Sequence, residues 1–288
     1  MTSSRKPPKP LQYVPFKDDT LMSDDPPSCA WADFETPRLR KCPFDLSTVS
    51  WKKAKLLGYG MDGCVWRVNF GDQGPFAIKV FWDTKPQMGY CYTVQRECQN
   101  NALLQMIEAA LQAAPIRVNE NPKEKQDALA NLFSFSDEAR QDGVQHAKGS
   151  SLREMPPFPR MAKCYGWLDF DRQEFRKMPQ RIQVDRVHIG RDIRKFSEKD
   201  NSYIAIVYEY IEDGPNDPAT VNEVSTFLWL AGFNYGASQR AENWKQGILV
   251  DHSDIVHPDG CGWSPGVYRL RNGKLTLPAH HLAPLRGE

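Results

Sequence analysis

Hydrophobic and polar positions alternate along much of the chain in a way that is typical of short β-strands. Five apolar or alternating runs predict strands at residues 53–59, 64–70, 75–82, 161–170 and 202–211. A further short strand is predicted at residues 247–251. Gly71-Asp-Gln-Gly74 lies between the second and third runs and predicts a hairpin connection.

Apolar residues recur at helical spacing in other segments. Residues 92–113 carry such a pattern, and Pro115 follows it and ends the predicted helix. A short helix is predicted near residues 123–133, and a buried helix at residues 221–232. The order of these elements predicts an α+β fold, in which a twisted antiparallel five-stranded sheet with one packed helix precedes a smaller helical part.

The chain divides into three parts by composition. Residues 1–43 are predicted to be an irregular extension whose first 27 residues are disordered and serve as a solvated tail or a docking peptide. Residues 44–213 form the main domain, with long surface insertions at about residues 115–160 and 171–201. Residues 214–288 form a reduced C-terminal part and tail.

The second insertion is rich in charge, with nine Arg or Lys residues against six Asp or Glu residues. This pattern is typical of a solvated hairpin or loop. The alternative is a contact patch from Arg172 to Lys199 for an acidic partner or, less favoured, for a nucleic-acid backbone.

The bulk composition excludes several classes of protein. Hydrophobic residues make up 40% and charged residues 25% of the chain, and the formal net charge is +1. No apolar run is long enough to cross a bilayer, and the N-terminus has no apolar signal region, so we expect a nuclear or cytoplasmic protein that is not secreted. Its seven cysteines form no CxxC pair and are expected to be reduced thiols. The weaker alternative is a zinc site at Cys261 with His252 and His257.

A glycine-rich segment is the first sign of chemistry. Gly58-Tyr-Gly-Met-Asp-Gly-Cys-Val65 fits the pattern G-x-G-x-x-G-x-V, with Gly58, Gly60, Gly63 and Val65 at the fixed positions. In a hairpin, such glycines allow backbone amides to approach phosphate oxygens without a clash with Cβ. The alternative is a turn that is glycine-rich by chance.

Two charged residues follow at informative distances. Lys79 ends the apolar stretch Phe76-Ala-Ile-Lys79 and can bridge nucleotide phosphates from a strand. Glu97 lies in the predicted long helix, where its carboxylate can pair with that lysine. Taken alone, each would be an ordinary surface residue, but their order and spacing after the glycine-rich segment favour a shared cleft.

The run Ile206-Val-Tyr-Glu-Tyr-Ile211 completes a resemblance to the protein-kinase superfamily over residues 51–212. The resemblance implies an ATP-binding cleft in which Ala77 contacts the nucleotide. Tyr208 would guard the back of the pocket, and Glu209 and Tyr210 would form the hinge that binds the adenine edge. The whole chain also resembles a fungal family of divergent kinase-like proteins that includes the kinetochore subunit Fta-two. Its cues include Arg96-Glu97-Cys98 and the stretch from Asn243 to Ile255.

The C-terminal third departs from the kinase pattern. No H-R-D occurs, and Ala237 stands where the catalytic aspartate is expected, so the proton acceptor is missing. Asp251 follows an apolar run and, with Asn243, is the expected Mg²⁺ site. Asp251 and Asp254 are the remaining catalytic candidates, and the alternative for both is a polar turn after a strand.

Three functions follow from these observations. The leading interpretation is a catalytically impaired kinase-like protein that can still bind ATP and Mg²⁺ and acts as a scaffold with protein partners, in a chromosome-associated assembly as the family resemblance implies. An active but atypical phosphotransferase is the second. A binding module that takes no nucleotide is the third.

Overall fold

The computed structural model describes residues 14–87, 90–144, 146, 149–235 and 240–271. In chain order, its strands are β1 (Lys17–Leu21), β2 (Leu39–Lys41), β3 (Lys55–Tyr59), β4 (Gly63–Phe70), β5 (Gln73–Phe81), β6 (Arg117–Asn119), β7 (Leu152–Glu154), β8 (Cys164–Asp171), β9 (Val187–Ile189), β10 (Asp192–Arg194), β11 (Ser202–Glu209), β12 (Asn234–Tyr235), β13 (Trp244–Lys245), β14 (Ile248–Leu249) and β15 (Ile255–Val256). The α-helices are α1 (Trp31–Glu35), α2 (Thr93–Ala113), α3 (Lys125–Phe133), α4 (Asp137–Asp142), α5 (Gln173–Lys177) and α6 (Pro218–Leu230).

A mixed, mostly antiparallel sheet forms the centre of the molecule. Its strand order is β1-β2-β8-β11-β5-β4-β3. The last five strands in this order pair antiparallel and lie close to the five predicted runs. The sheet therefore has two strands more than the predicted five, and both additional strands pair in parallel.

These two strands come from the N-terminal extension, whose predicted irregularity is wrong for the described residues after Val14. Phe16 and Leu39 are buried, and the backbone N–H of Leu39 donates to the carbonyl of Phe16 at 3.0 Å. The Trp167 indole donates to the carbonyl of Asp18 at 2.8 Å. This order depends on contacts with the distant strand β8, and local periodicity carries no trace of such contacts.

Helix α2 packs across one face of the sheet and is buried nearly all round. Val94 and Cys98 contact the sheet side, together with Phe81 and Ile206. The helix also buries Leu103 and Ile107 in a second core with α3 and α6. The polar residues Glu97, Asn100 and Asn101 are buried as well, so α2 joins the two halves of the molecule.

The first insertion is not a surface feature, contrary to the prediction. Strands β6 and β7 pair antiparallel, and Leu132, Phe133 and Phe135 are buried in the same core as α6. The Asn131 amide donates to the carbonyl of Leu230 at 2.8 Å and holds α3 against the end of α6. Scattered apolar residues in a polar stretch reach the core because short helices present them on one side.

The second insertion folds against the sheet face opposite α2. It contains α5 and the antiparallel hairpin β9–β10. Met178, Ile182 and Val187 are buried, and the Trp66 indole donates to the carbonyl of Ile182 at 2.9 Å. The predicted solvated hairpin is therefore only part of a segment that also covers one side of the core.

The C-terminal part consists of α6 and short strand pairs, β12 with β15 and β13 with β14. The Asn100 amide on α2 donates to the carbonyls of His252 and Ile255, at 2.9 and 2.7 Å. Cys91 and Cys261 form a disulfide with a Cα–Cα distance of 5.6 Å, so the prediction of seven reduced thiols is wrong for these two residues. Because the two cysteines lie 170 residues apart in the sequence, their spacing gave no indication that they pair.

Among the described residues, no helix combines the length and the apolar character that a bilayer crossing requires. The described part of the chain also contains no group of three His, Cys, Asp or Glu residues that could hold a metal ion, so Cys261 and the two histidines do not form a zinc site there.

Candidate functional site

Three predicted residues from distant segments meet in one cleft. Lys79 lies on β5, Glu97 on α2 and Asp251 just after β14. The Lys79 ammonium donates to Glu97 Oε2 at 2.7 Å and to Asp251 Oδ1 at 2.8 Å. Lys79 is only 7% exposed and Glu97 is fully buried, so the lysine binds both carboxylates in a space with little water.

A second set of polar groups supports Glu97 from behind. The Tyr208 hydroxyl donates to Glu97 Oε1 at 2.6 Å, and the Asn101 amide donates to the Tyr208 oxygen at 2.7 Å. His252 Nδ1 lies 2.8 Å from Asn101 Oδ1. The sequence predicted Tyr208 in this cleft but not Asn101, and it offered His252 as a zinc ligand instead. Asn101 lies one helical turn after Glu97 on the same face of α2.

Burial and charge shift the protonation of these groups in opposite directions. Burial raises the pKa of Glu97 to about 7, against the lowering effect of Lys79. Burial opposes ionisation of Asp251 too, but the ammonium outweighs it and lowers the pKa of Asp251 to about 2. Burial alone would lower the pKa of Lys79, yet Asp251 and Glu97 raise it well above its usual value. Lys79 is therefore charged at neutral pH.

The glycine-rich loop connects β3 and β4 over this cleft. A Cβ added at Gly58 or Gly60 would meet no atom within 4 Å, whereas one at Gly63 would lie 2.2 Å from the carbonyl oxygen of Val80. The Trp82 indole donates to the carbonyl of Gly60 at 2.9 Å. Gly63 is thus required for packing against β5, while the first two glycines leave open space at the cleft.

Asp62 of this loop is a site residue that the sequence did not predict. Its Oδ2 accepts the Ser253 hydroxyl at 2.7 Å, and the same hydroxyl lies 2.7 Å from Asp251 Oδ1. Ser253 therefore links the loop to the segment after β14. Against the effect of burial, and after Asp251 and Glu97, the Asp62 carboxylate also raises the pKa of Lys79, while Asp251 and Glu97 bind the ammonium directly.

The predicted metal ligands Asn243 and Asp251 lie in the same cleft, but both already form hydrogen bonds within the protein. The Asn243 amide donates to Asp254 Oδ2 at 2.6 Å, while Asp251 Oδ1 accepts from Lys79 and from the backbone N–H of Ser253. Burial, followed by the nearby charge of Asp251, raises the pKa of Asp254 to about 6. These oxygen donors suit Mg²⁺ only if phosphate oxygens complete the coordination.

The remaining predicted residues line the other end of the same cleft. Val65 pairs with Lys79 in register, and Ala77, Glu209 and Tyr210 line a pocket of about 290 Å³. The backbone N–H of Glu209 donates to the carbonyl of Lys163 at 2.8 Å, so it is not free for a ligand. The Glu209 side chain pairs with Arg160.

The predicted replacement of the catalytic aspartate, Ala237, lies outside the described residues, since residues 236–239 are not among them. Ten of the other predicted site residues line one cleft, and two more lie directly beside it. The set is Gly58, Gly60, Gly63, Val65, Ala77, Lys79, Glu209, Tyr210, Asn243 and Asp251, with Glu97 behind Lys79 and Asp254 beside Asn243.

The fold and the site define a mixed α/β protein with a charged cleft between a glycine-rich loop and the segment after β14. Residues 22–229 match the model of the family described as kinetochore Sim4 complex subunit FTA2. The chain therefore belongs to this family of kinetochore subunits. No curated protein and no solved structure matches the chain.

Proposed function

We propose that this chain is a scaffold subunit of the kinetochore, built on a divergent protein-kinase-like fold whose cleft is impaired in phosphoryl transfer. The family supports the kinetochore role, and with it a nuclear, chromosome-associated location and protein partners. The kinase-like part is carried by one observation, the convergence of Lys79, Glu97 and Asp251 beneath the glycine-rich loop.

The geometry supports a kinase-like origin of the cleft. In protein kinases, a strand lysine pairs with a helix glutamate and binds the nucleotide phosphates, while an aspartate holds the metal ion. Here Lys79 lies on β5, its partner Glu97 lies on the following helix, and Asp251 follows a short strand. Bound ATP and Mg²⁺ would supply the phosphoryl group and the charge that neutralises it. In this chain Asp251, Asp254 and Asn243 would hold the metal ion.

The charges around Lys79 support impairment. Besides the glutamate partner that kinases share, the Lys79 ammonium also binds Asp251, and Asp62 brings a further carboxylate from the loop that would otherwise cover the phosphates. A polyphosphate must therefore displace or neutralise carboxylates before it reaches the lysine, since like charges at short range repel strongly. The same observation favours the second candidate function, a binding module that takes no nucleotide.

Thermal unfolding with and without ATP and Mg²⁺ tests this proposal. We expect the Asp62→Asn variant to gain more stability from the ligand than the unmodified chain, because one carboxylate near the phosphate position becomes neutral. Ligand at about a hundred times its Kd stabilises by about 2.7 kcal/mol. Asp72→Asn is the matched control, because Asp72 is exposed on the turn after β4.

Each outcome separates the candidates. A shift without labelled product, larger in Asp62→Asn than in Asp72→Asn, supports an impaired nucleotide-binding cleft. Absence of any shift in all variants supports the binding module. Labelled product that disappears in Lys79→Met, at a pH where that variant is still folded, supports an active phosphotransferase. The kinetochore role is checked separately by chromatin immunoprecipitation of the tagged chain, and absence of centromeric DNA would contradict it.

A further inference from the structure

The second insertion forms a pocket of about 420 Å³ on the sheet face opposite α2. Phe175 and Phe196 line it, with ring centroids 4.4 Å apart. Phe175 also lies 4.9 Å from the ring of Phe170 on β8, and Phe196 lies 4.4 Å from the ring of Trp82. Because both rings pack against the sheet, the pocket has a fixed aromatic floor.

Hydrogen bonds hold the walls of the pocket in place. A guanidinium nitrogen of Arg172 donates to the carbonyl of Ser197 at 3.0 Å. The Gln183 amide donates to the carbonyl of Met178 at 2.7 Å. These contacts join the α5 side of the pocket to the two stretches that face it, so its charged side chains project from ordered backbone.

The lining of the pocket carries more positive than negative charge. Its carboxylates are Asp185 and Glu198, and its cations are Arg172, Arg176, Arg186 and Lys195. The ion pairs of the segment use other cations, Lys177 with Glu174 and Arg194 with Asp83. Within the described ranges, none of the four lining cations takes part in an ion pair.

We propose that this pocket binds a short acidic segment of a partner protein that carries an aromatic or large apolar residue. The planar guanidinium groups of Arg176 and Arg186 suit carboxylates, which they bind through two parallel hydrogen bonds. The apolar residue packs on the Phe175 and Phe196 rings. Asp185 and Glu198 accept hydrogen bonds from the backbone N–H groups of the bound segment.

The same features disfavour a nucleic acid as the ligand. Duplex DNA carries a phosphate charge for about every 1.7 Å of its length and needs a continuous track of cations. This surface is a concave pocket instead, and the carboxylates of Asp185 and Glu198 lie among its cations. They would repel phosphate oxygens and peptide carboxylates alike, but a peptide also offers backbone N–H groups for them to accept, and a phosphate backbone offers none.

Fluorescence anisotropy with the full chain tests the proposal. The probe is a short fluorescein-labelled peptide rich in Glu and Asp with one central Phe, and the comparison probes are the same peptide with Ala for Phe and labelled single-stranded and duplex DNA. We expect saturable peptide binding that weakens as salt rises, because exposed charges are screened.

Matched charge reversals locate the binding site. The double variant R176E/R186E should bind the peptide about a hundredfold more weakly, since it loses two charge-assisted contacts and each is worth about a factor of ten. The control R191E/K199E makes the same change of charge at two exposed positions of the segment outside the pocket lining, and it should keep the affinity of the unmodified chain. Thermal unfolding confirms that both variants are folded.

Four results would overturn the proposal. The first is an absence of saturable peptide binding, and the second is an equal loss of affinity in both double variants. The third is unchanged binding of the peptide with Ala for Phe, which would remove the role of the aromatic floor. The fourth is tighter binding of DNA that is lost in R176E/R186E, which would make the pocket a nucleic-acid surface.

Discussion

Lys79→Met removes the only cation that touches the fully buried Glu97 among the described residues. The carboxyl group must then hold a proton in the folded protein, while in the unfolded chain it ionises with a pKa of about 4.5. Holding that proton costs about 1.4 kcal/mol for each pH unit above the unfolded pKa. The unmodified chain already bears this cost up to about pH 7, because the folded pKa of Glu97 is about 7, so the variant loses roughly 1.4 kcal/mol more at pH 8 and almost nothing more at pH 5.

This loss is smaller than the roughly 3–5 kcal/mol that leaving a buried charge unpaired costs, because Glu97 can take up a proton instead. Asp251 adds to the loss, because it gives up the ammonium that holds its pKa at about 2, although its side chain is 29% exposed and keeps its bonds from Ser253. Urea unfolding at several pH values measures the loss. Adding Glu97→Gln to the Lys79→Met variant should remove most of the pH dependence, since glutamine carries no proton to titrate.

Lys55→Met is the control, because Lys55 is an exposed strand lysine in the same sheet. It should change the free energy of unfolding by less than about 0.5 kcal/mol. A loss for Lys79→Met that is equal at pH 5 and pH 8 would refute the reasoning, because the effect would then come from packing and not from the charge of Glu97.

Two further predictions concern single residues of the cleft. Asp254→Asn should stabilise the protein above about pH 6 and leave it unchanged below about pH 4. The reason is that the raised pKa of Asp254 makes its ionised form unfavourable in the folded state. A pH series of thermal unfolding checks this, and equal stabilisation at all pH values would contradict it. Gly63→Ala should destabilise the protein by more than about 1 kcal/mol, while Gly60→Ala should not, since of these two substitutions only Gly63→Ala creates a clash, with Val80. Urea unfolding of both variants measures the difference. Equal losses of stability would show that the loop moves to relieve the clash.

Much of the candidate site could be predicted from sequence because its chemistry is carried by residues in regular elements. Lys79 ends an apolar strand and Glu97 lies on a helix, so their spacing was enough to predict that they share a cleft. Asp62 and Asn101 escaped prediction for different reasons. Asp62 acts through a contact with Ser253, distant in sequence, and Asn101 acts through the hydroxyl of Tyr208.

The parts of the fold that were mispredicted depend on long-range contacts. Strands β1 and β2 are polar and short, and they exist because β8 offers them an edge for pairing. The insertion that contains Leu132 and Phe135 looked irregular because its apolar residues are few, yet they complete a core to which α2 and α6 also contribute. Local patterns record neither kind of dependence.

The parallel pair β1–β2 has a consequence for how this protein resists aggregation. Around Trp167 it covers the side of β8 that would otherwise present unpaired backbone N–H and C=O groups to solvent. An exposed strand of this kind pairs readily with other chains. A shortened chain that begins at residue 44 would keep the whole cleft, but it would expose β8 and the ring of Trp167, over which Lys17 and Lys41 now lie. The N-terminal segment thus protects this edge of the sheet from pairing with other chains, and experiments on a shortened chain need to retain it.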